Sequence, residues 1–406
     1  MNLILTDKCT NSCPYCFAAQ EMSRNKRKNN MKREDFDYLM HFISNSKEQV
    51  EINVIGGEPL IYDDLEYVLK RLNRSRLVKN ICVMTGGIIK KQVFDILLKY
   101  QKKLTVLFNV NEKASYLNAK HIDIVRDCIK YSISLGLKVS FGFNIYHHNF
   151  NGREIINLCK QYGVSHLRFA IACPIYGSQH NVVVPYVEYQ KLSKRVFLFL
   201  RKCFESGIEA NLDCPIPMCF FSNYQLGAIS KMHPQIISRL GKCSPPIDIN
   251  YDLKLFRCFS IGKYRNEHLS NFKSFDEIRN YFINEIDSRL NKPFVFPKCN
   301  TCINVEKCNG GCLSNNTGFL SNPNKIERIQ EVLNLSSNNL DNEALALLEQ
   351  EYVKNDIDLF LLAQLYYNIG NMAKARTYCY KAIHESSSLS LRKDVVNLLN
   401  IVEEVL

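Results

Sequence analysis

The chain has 406 residues, 46% hydrophobic and 23% charged, the composition of an ordinary globular protein, which excludes wholesale disorder. No apolar run reaches the roughly 18 residues of a membrane span, and the start MNLILTDKCTN lacks the apolar core of a signal peptide, so we expect a cytoplasmic protein. Its 17 cysteines therefore do not indicate a secreted disulfide framework. They indicate metal or cluster ligation, with the surplus thiols buried.

The net charge of +12 raises the question of a nucleic-acid partner. Much of the excess lies in the stretch SRNKRKNNMKR, whose basic residues are Arg24, Lys26, Arg27, Lys28, Lys32 and Arg33. No aromatic residues alternate with these charges, as they do in proteins that bind single strands. We interpret the stretch as a solvated loop and expect neither a nucleic-acid nor a membrane partner.

The first 170 residues alternate between β-rich runs and helical patterns. The predicted strands are Leu3–Thr6, Glu51–Ile55, Asn80–Met84, Leu104–Val110, Lys138–Ile145 and His166–Ile171. The helices between them are predicted at Arg33–Ser46, Asp64–Leu72, Lys91–Tyr100, Ala119–Leu135 and Arg153–Tyr162. This order predicts an α/β fold with a parallel sheet, either an open wound sheet or a partial barrel, in which ligands bind at the carboxyl ends of the strands.

Beyond the strands the pattern changes twice. A long helix is predicted at Pro185–Ser206, followed by a cysteine-rich region with little periodicity. From about Ile326 the pattern is helical, and small and aromatic residues recur as in a tetratricopeptide (TPR) repeat. We therefore divide the chain into residues 1–207, residues 208–325 and a short TPR-like helical tail, residues 326–406.

Directly after the first strand come three cysteines in a CxxxCxxC spacing, Cys9, Cys13 and Cys16. Three thiolates on one loop can hold three corners of a [4Fe–4S] cube and leave the fourth iron open to a substrate or cofactor. A structural zinc site fits less well, because it takes four protein ligands and no histidine follows nearby.

This triplet, with Tyr15 before its third cysteine, resembles the signature of radical S-adenosylmethionine (SAM) enzymes. After the second strand, Gly56-Gly57-Glu58-Pro59 is similar to that family's motif at the amino group of SAM, where glycines let the backbone approach a ligand. Both motifs together identify the chain as a member of the family. The resemblance implies a partial (β/α)6 TIM-like barrel that binds SAM and a [4Fe–4S] cluster.

Polar residues at other strand ends match the family less closely. They are Thr85 after strand three, Asn109 and Asn111 after strand four, and Asn144 at the end of strand five. The resemblance implies that they contact SAM. For the three asparagines, an ordinary role as polar turn residues is equally compatible with the pattern.

Six further cysteines form a second recognisable group. Their spacing is Cys243-x14-Cys258, then Cys299-x2-Cys302-x5-Cys308-x3-Cys312. This arrangement resembles the SPASM signature, which holds auxiliary iron–sulfur clusters in many radical SAM enzymes. Two structural zinc sites are the rival interpretation of the same thiols.

The resemblance divides these cysteines between two auxiliary [4Fe–4S] clusters. It assigns three of them to the first cluster: Cys243, Cys258 and Cys312. We expect Cys219 to complete this set, with Cys214 as the alternative. The second set is Cys299, Cys302 and Cys308, and no cysteine between Cys312 and Cys379 completes it. The second cluster is expected to have an open or non-cysteine ligand, to divide Cys214 and Cys219 with the first, or to be absent.

The remaining cysteines divide into core thiols and one candidate site residue. Those within predicted strands and helices are interpreted as core: Cys82, Cys128, Cys159, Cys203 and Cys379. Cys173 follows the sixth strand and faces the expected cavity. It is either a catalytic hydrogen-atom or proton donor, or a packed thiol.

The family resemblance implies an enzyme that cleaves SAM reductively and abstracts a hydrogen atom from an unactivated carbon. SPASM-bearing relatives mostly modify peptides, and helical repeats present grooves for them. We therefore expect a maturase that crosslinks, epimerises or oxidises a ribosomally made precursor peptide, with a reductant such as flavodoxin or ferredoxin. The alternatives are an anaerobic sulfatase-type maturase, a small-molecule dehydrogenase and, from another class, a non-catalytic iron–sulfur electron carrier or scaffold.

Overall fold

The computed structural model contains one ten-stranded sheet with helices packed on it and a helical tail. It describes residues 1–9, 11, 13–16, 29–112, 120–176, 182, 184, 188–241, 243–244, 247–290, 299, 302–308, 310–315, 323–349, 356–385 and 389–405. Arg24, Lys26, Arg27 and Lys28 of the basic stretch, and Pro185 of the predicted long helix, lie outside these residues. None of the helices in these ranges is long and apolar enough to cross a membrane.

The elements follow the predicted alternation. The strands are β1 (Asn2–Ile4), β2 (Val50–Ile55), β3 (Val78–Thr85), β4 (Leu104–Asn109), β5 (Lys138–Ile145), β6 (His166–Ile171), β7 (Glu209–Leu212), β8 (Asp248–Ile249), β9 (Lys254–Phe256) and β10 (Glu267–His268). The helices are α1 (Arg33–Ser46), α2 (Leu65–Arg74), α3 (Lys91–Lys99), α4 (Lys120–Ser134), α5 (Arg153–Tyr162), α6 (Tyr189–Glu205), α7 (Asn223–Met232), α8 (Pro234–Ile237), α9 (Phe275–Tyr281), α10 (Ser288–Leu290), α11 (Val305–Cys308), α12 (Pro323–Ser337), α13 (Asp341–Glu349), α14 (Asp356–Asn368), α15 (Met372–Glu385) and α16 (Leu389–Val405).

The sheet has the order β10-β9-β8-β1-β2-β3-β4-β5-β6-β7, and every pair from β8 to β7 is parallel. All six predicted strands and the five helices between them are present, which confirms the predicted α/β fold. The parallel strand β7 was not predicted, because a four-residue strand is too short to show a clear alternation.

Side chains alternate along the strands between full burial and partial exposure. In β5 and β6, Phe141, Phe143, Leu167 and Phe169 are buried against the helices. The alternate residues of these strands, such as Asn144, point to the other face of the sheet and are only partly buried. The helices complete this core with one apolar face each, as the buried side chains of α1 show. The face of the sheet that carries partly buried polar side chains such as Asn144 is therefore the one that can hold a site.

The sheet continues across the boundary predicted at residue 207. Strand β8 pairs with β1 in parallel, and the Asn2 side chain donates a 2.7 Å hydrogen bond to Asp248. The Asn53 side chain donates to Asn2 at 2.8 Å and extends this polar row to β2. The cysteine-rich region is thus joined to the barrel edge by main-chain pairing, although its strands are too short for the sequence to reveal.

The predicted helical tail is confirmed. Helices α12 to α16 pack in consecutive pairs around their own buried residues, separate from the core under the sheet. Tyr366 of α14 stacks on Tyr378 of α15, with ring centroids 5.4 Å apart and the planes nearly parallel. Ala375 and Ala382 are fully buried, as small residues are at close helix–helix contacts.

One buried ion pair links the segment after β9 to the helices that cover it. Arg257 is only 4% exposed and donates two hydrogen bonds of 2.7 Å to the carboxylate of Asp287. The bidentate geometry suits guanidinium and carboxylate, and neither charge can return to water without local opening. Arg279 pairs with Glu48 instead at a half-exposed site.

Replacing Arg257 with Ala is expected to lower the free energy of unfolding by about 3–5 kcal/mol, because Asp287 would remain buried without its partner. The control is Arg279→Ala, which removes solvent-screened pairs with Glu48 and Asp276 and should cost about 1 kcal/mol or less. Urea unfolding of the reconstituted chains, followed by circular dichroism, measures both changes. An equal decrease in the free energy of unfolding in the two variants would show that the buried Arg257 pair contributes no more than an exposed one.

Candidate active site

The cysteine loop after β1 lies directly against the glycine loop after β2. The backbone N–H of Gly57 donates to the Thr6 carbonyl, and that of Glu58 donates to the Lys8 carbonyl, both at 2.8 Å. A side chain at Gly57 would place its Cβ 2.1 Å from the carbonyl oxygen of Lys8. At Gly56, where φ is +148°, a Cβ would meet the Thr6 carbonyl oxygen at 2.6 Å. Both glycines are therefore required by the approach of the two backbones.

Glu58 connects the glycine loop to the loop after β3. Its carboxylate accepts hydrogen bonds from the backbone of Gly86 at 2.8 Å and of Leu60 at 3.2 Å. Burial raises the pKa of Glu58 to about 7, although these hydrogen bonds oppose the shift. Pro59 begins the short 3-10 turn that follows and is buried. The Glu58 side chain thus fixes the relative position of two strand ends.

Thr85 and Asn109 lie at the ends of β3 and β4. Thr85 is 1% exposed, and its hydroxyl accepts a 3.0 Å hydrogen bond from the backbone of Gly87. Asn109 lies beside Gly142 of β5, where a Cβ would stand 2.5 Å from the Asn109 side-chain oxygen. The glycine therefore makes room for the Asn109 amide within the sheet.

A hydrogen-bonded chain joins the cysteine loop to β4 and β5. The side chain of Asn111, 4% exposed, donates to the Tyr15 hydroxyl and accepts a 2.9 Å hydrogen bond from the backbone of Asn144. The ring of Tyr15 also lies 5.2 Å from that of Tyr146. Of the three asparagines, Asn111 has the clearest structural task.

The thiols of Cys9, Cys13 and Cys16 are partly buried on this one loop. The backbone of Asn11 donates to the Cys9 sulfur at 3.4 Å, and Cys16 N–H donates to the Cys13 carbonyl at 3.1 Å. Burial raises the pKa of the Cys13 thiol. Three thiols held on a compact turn are a donor set that suits an iron–sulfur cluster with one iron not bound by protein.

Five more thiols meet between the carboxyl ends of β6 and β7 and the cysteine-rich region. Their side chains come from Cys173, Cys214, Cys243, Cys258 and Cys312. Cys312 is hydrogen-bonded to Ser314 at 3.0 Å, and its interactions with Cys173 and Cys214 hold the pKa of its thiol well below the usual value. Cys173, predicted to face the cavity, thus lies among the candidate cluster ligands.

Two hydrogen bonds involve the other candidate ligands. The Cys308 sulfur accepts a 3.2 Å hydrogen bond from the backbone of Met218, which directly precedes Cys219. Cys302 N–H donates to the Cys299 carbonyl at 3.1 Å. The structure therefore places the segment of Cys219 beside Cys308 and the Cys214 thiol beside Cys312.

The thiols interpreted as core are consistent with that role. Four are buried: Cys128, Cys159, Cys203 and Cys379. Burial raises the pKa of Cys159 to about 12 and that of Cys379 to about 11, as expected for thiols in apolar surroundings. Cys82 is partly exposed, and burial raises its pKa to about 11.

Two histidine–glutamate pairs occupy the same edge of the barrel and were not predicted. His147 lies 3.2 Å from Glu112, and His148 lies 2.5 Å from Glu188. The His147 ring also packs edge-on against Tyr146, the neighbour of Tyr15. The adjacent histidines after β5 were the only signal in the sequence, since their partners come from distant loops.

Among the described residues, no three His, Cys, Asp or Glu side chains are arranged as the ligands of a single metal ion. A [4Fe–4S] cube binds each thiolate to a different iron, so its ligands need not surround one point. Several thiolates carried on one loop are the ligands that iron–sulfur clusters use.

Comparison with known proteins gives a family match and two related folds. Residues 3–162 match the family model described as Radical SAM superfamily. The GTP 3′,8-cyclase of Aquifex aeolicus (strain VF5) is 28% identical over 179 residues, which are 42% of this chain and 55% of that protein. The chain thus spans about half the length of the curated relatives it matches.

The similar solved structures extend beyond the matched residues. Streptococcus suis SuiB bound to S-adenosylmethionine superposes with a TM-score of 0.53 at 17% identity, over 77% of this chain and 72% of SuiB. The structure of anSMEcpe with bound AdoMet gives a TM-score of 0.55 at 15% identity, over 77% of this chain and 88% of anSMEcpe. At these identities the likeness establishes the fold.

Replacing Gly57 with Ala is expected to remove about four iron atoms per reconstituted chain, because the new Cβ would push the cysteine loop away from β2. The control is Gly227→Ala in α7, where an added Cβ has nothing within 4 Å and alanine favours the helix. Iron and acid-labile sulfide are measured after anaerobic reconstitution. Unchanged iron in Gly57→Ala would contradict the steric argument.

Proposed function

Residues 3–162 form a radical SAM domain, and from this premise we propose that the chain is an enzyme that generates a 5′-deoxyadenosyl radical and abstracts a hydrogen atom from a ribosomally made precursor peptide. The observation that carries the proposal is the packing of the Cys9, Cys13 and Cys16 loop on the backbone of Gly56 and Gly57. This packing holds three thiols at the carboxyl ends of parallel strands, where such folds bind ligands.

In this proposal Cys9, Cys13 and Cys16 hold a [4Fe–4S] cluster, which when bound supplies the electron that breaks the sulfur–C5′ bond of SAM. Gly56 and Gly57 let the cysteine loop pack directly on the glycine loop. The chain of hydrogen bonds through Asn111 holds the Tyr15 ring in one orientation. Gly57, Asn111 and Tyr15 are thus held in place by hydrogen bonds, and this edge of the sheet would orient the ligand.

Apolar side chains cover one side of the cysteine loop. Cys16, Ile55 and Tyr251 pack against the buried pair Ile4 and Phe259. Two of these residues come from the cysteine-rich region, so that region helps to exclude water from the site where the radical would form. In this proposal, residues of both the barrel and the cysteine-rich region therefore form the site.

A peptide substrate is supported by the helical tail and by the cysteine spacing that resembles peptide maturases. Helices α14, α15 and α16 pack in sequence, and paired helices of this kind present grooves to peptide segments. Tyr380 of α15 is half-exposed, with Arg376 over its ring, and offers an aromatic contact surface. We further propose a flavodoxin or ferredoxin as electron donor and the reducing cytoplasm as the location.

A nucleotide is the second candidate substrate, because the curated relatives are named as GTP 3′,8-cyclases. Their likeness covers 42% of this chain and leaves out much of it. The peptide proposal rests on parts of the chain outside the family match, so the two substrates are separable by experiment.

Changing Cys9, Cys13 and Cys16 together to Ala is expected to reduce 5′-deoxyadenosine to the level seen without protein, since no thiolate remains to hold the cluster at the SAM site. The control is Cys159→Ala, which removes a buried core thiol. Reconstituted chains are incubated anaerobically with SAM and dithionite, and the product is measured by mass spectrometry. Absence of 5′-deoxyadenosine in the unchanged chain would instead favour a non-catalytic iron–sulfur scaffold.

The substrate is tested with synthetic peptides encoded by short reading frames beside the gene. One of them is expected to change in mass and to raise 5′-deoxyadenosine above the SAM-only level, and deuterated peptide should transfer deuterium to that product. GTP in place of the peptide is the control and is expected to do neither. Stimulation by GTP and by none of the peptides would assign the chain to nucleotide chemistry.

A further inference from the structure

Nine cysteines in the cysteine-rich region and at the adjoining strand ends are candidate ligands of the auxiliary clusters. The nine are Cys173, Cys214, Cys219, Cys243, Cys258, Cys299, Cys302, Cys308 and Cys312. A fully thiolate-ligated [4Fe–4S] cluster takes four ligands. The spacing alone assigns three cysteines to each auxiliary cluster. Contacts in the fold indicate which of the remaining cysteines is the fourth ligand of each.

Cys214 lies near Cys312. The two thiols are close enough to interact, and so are Cys243 and Cys258 with Cys312. Cys214 follows β7, whose pairing with β6 brings it to Cys173, a fifth thiol that interacts with the same two sulfurs.

A buried N–H donor of Arg257 indicates a hydrogen-bond acceptor near Cys243 and Cys258. Nη1 of Arg257 is buried and has no hydrogen-bond partner among the described residues, although the rest of the guanidinium is paired with Asp287. Arg257 lies near Cys243 and Cys258. Cluster sulfur or cysteine thiolate would satisfy this donor, which an apolar core would leave unpaired.

The segment of Cys219 is attached to the other set. Met218 N–H donates a 3.2 Å hydrogen bond to the Cys308 sulfur. Gly311, whose N–H donates to the Cys308 carbonyl, packs so closely on this segment that a Cβ would lie 2.7 Å from the Ile216 carbonyl carbon. Residues 216 to 218 are thus held against Cys308 and Gly311.

Two prolines keep Cys214 and Cys219 apart. The sequence Cys214-Pro-Ile-Pro-Met-Cys219 favours extended backbone at residues 214 to 217, because proline restricts its own φ and that of the residue before it. Pro217 is extended, with φ −57° and ψ 145°. The extended stretch ends at the 3-10 turn Met218–Phe220, which contains Cys219. An extended stretch of this length followed by a short 3-10 turn separates the two Cα atoms by on the order of 13 Å, which favours ligation at different sites.

We infer that Cys214 completes one auxiliary cluster site with Cys243, Cys258 and Cys312, and that Cys219 completes a separate site with Cys299, Cys302 and Cys308. A cysteine before the four-cysteine run thus supplies the ligand that is missing after it. The inference rests on the proposed function only in that the region holds iron–sulfur clusters.

Iron counting in paired backgrounds tests the division. The starting chain carries Ala at Cys9, Cys13 and Cys16, so that only auxiliary iron remains, about eight atoms per chain. Removing Cys299, Cys302 and Cys308 from it leaves the first site, and removing Cys243, Cys258 and Cys312 leaves the second. Into each background we introduce either Cys219→Ala or the pair Cys173→Ala and Cys214→Ala, because Cys173 is close enough to replace Cys214.

The expected result is reciprocal. Cys219→Ala lowers iron and sulfide, or alters the electron paramagnetic resonance signal of the reduced cluster, only where the second site remains. The Cys173 and Cys214 pair does so only where the first remains. No change in iron or signal in either background would overturn the inference. The reverse pattern, a loss from Cys219→Ala in both backgrounds, or a starting chain with about four iron atoms or fewer would overturn the inference. None of these chains carries the SAM-site cysteines, so the result is independent of whether the intact chain cleaves SAM.

Serine variants of the intact reconstituted chain serve as the control for misfolding. Cys214→Ser and Cys219→Ser keep a small polar side chain, and each is expected to alter the electron paramagnetic resonance signal of a different reduced auxiliary cluster. Their double variant should show both changes, and circular dichroism verifies the fold. If both single variants altered the same signal, the two cysteines would belong to one cluster and the inference would be wrong.

Discussion

The contact on which the candidate site depends is the one between the backbones of the cysteine loop and the glycine loop. Two hydrogen bonds of 2.8 Å join them, and the space between Gly57 and the Lys8 carbonyl is too small for a Cβ. A close main-chain approach of this kind positions three thiols without any long side chain. The Glu58 side chain connects the glycine loop to the loop after β3 by accepting a hydrogen bond from the Gly86 backbone. The ends of neighbouring strands are thereby held together.

The second constraint is the continuity of the sheet. Strand β8 pairs with β1, which places the region after residue 208 beside the first strand of the barrel. Phe259 of that region then forms part of the cluster against which Cys16 packs, while Cys173 and Cys214 from the other end of the sheet lie near Cys312. The cysteine-rich region is therefore bound to both ends of the parallel sheet.

Much of the fold was predictable because the barrel strands and helices are long enough to show their periods. The strand β5 and the helices α1 and α5 have the predicted bounds, and α5 ends at Gly163 in the left-handed conformation that the sequence favours there. The short strands β7 to β10 were not predictable, since two to four residues contain no reliable alternation and pair only because the sheet is already formed. The pairs of His147 with Glu112 and His148 with Glu188 were missed for a related reason: each joins residues from loops that only the barrel brings together.

The sequence alone determined the order of strands and helices, the two short motifs after β1 and β2, and the type of side chain available for iron. These features are local, because periodicity and motif spacing are properties of neighbouring residues. Only the tertiary structure decided which distant thiols meet. Cys173, Cys214 and Cys312 are separated by long stretches of chain, and their contact follows from the pairing of β6 with β7 and from the return of the cysteine-rich region to the sheet. Sequence distance contains no information about such a meeting, whereas strand pairing and backbone packing define it.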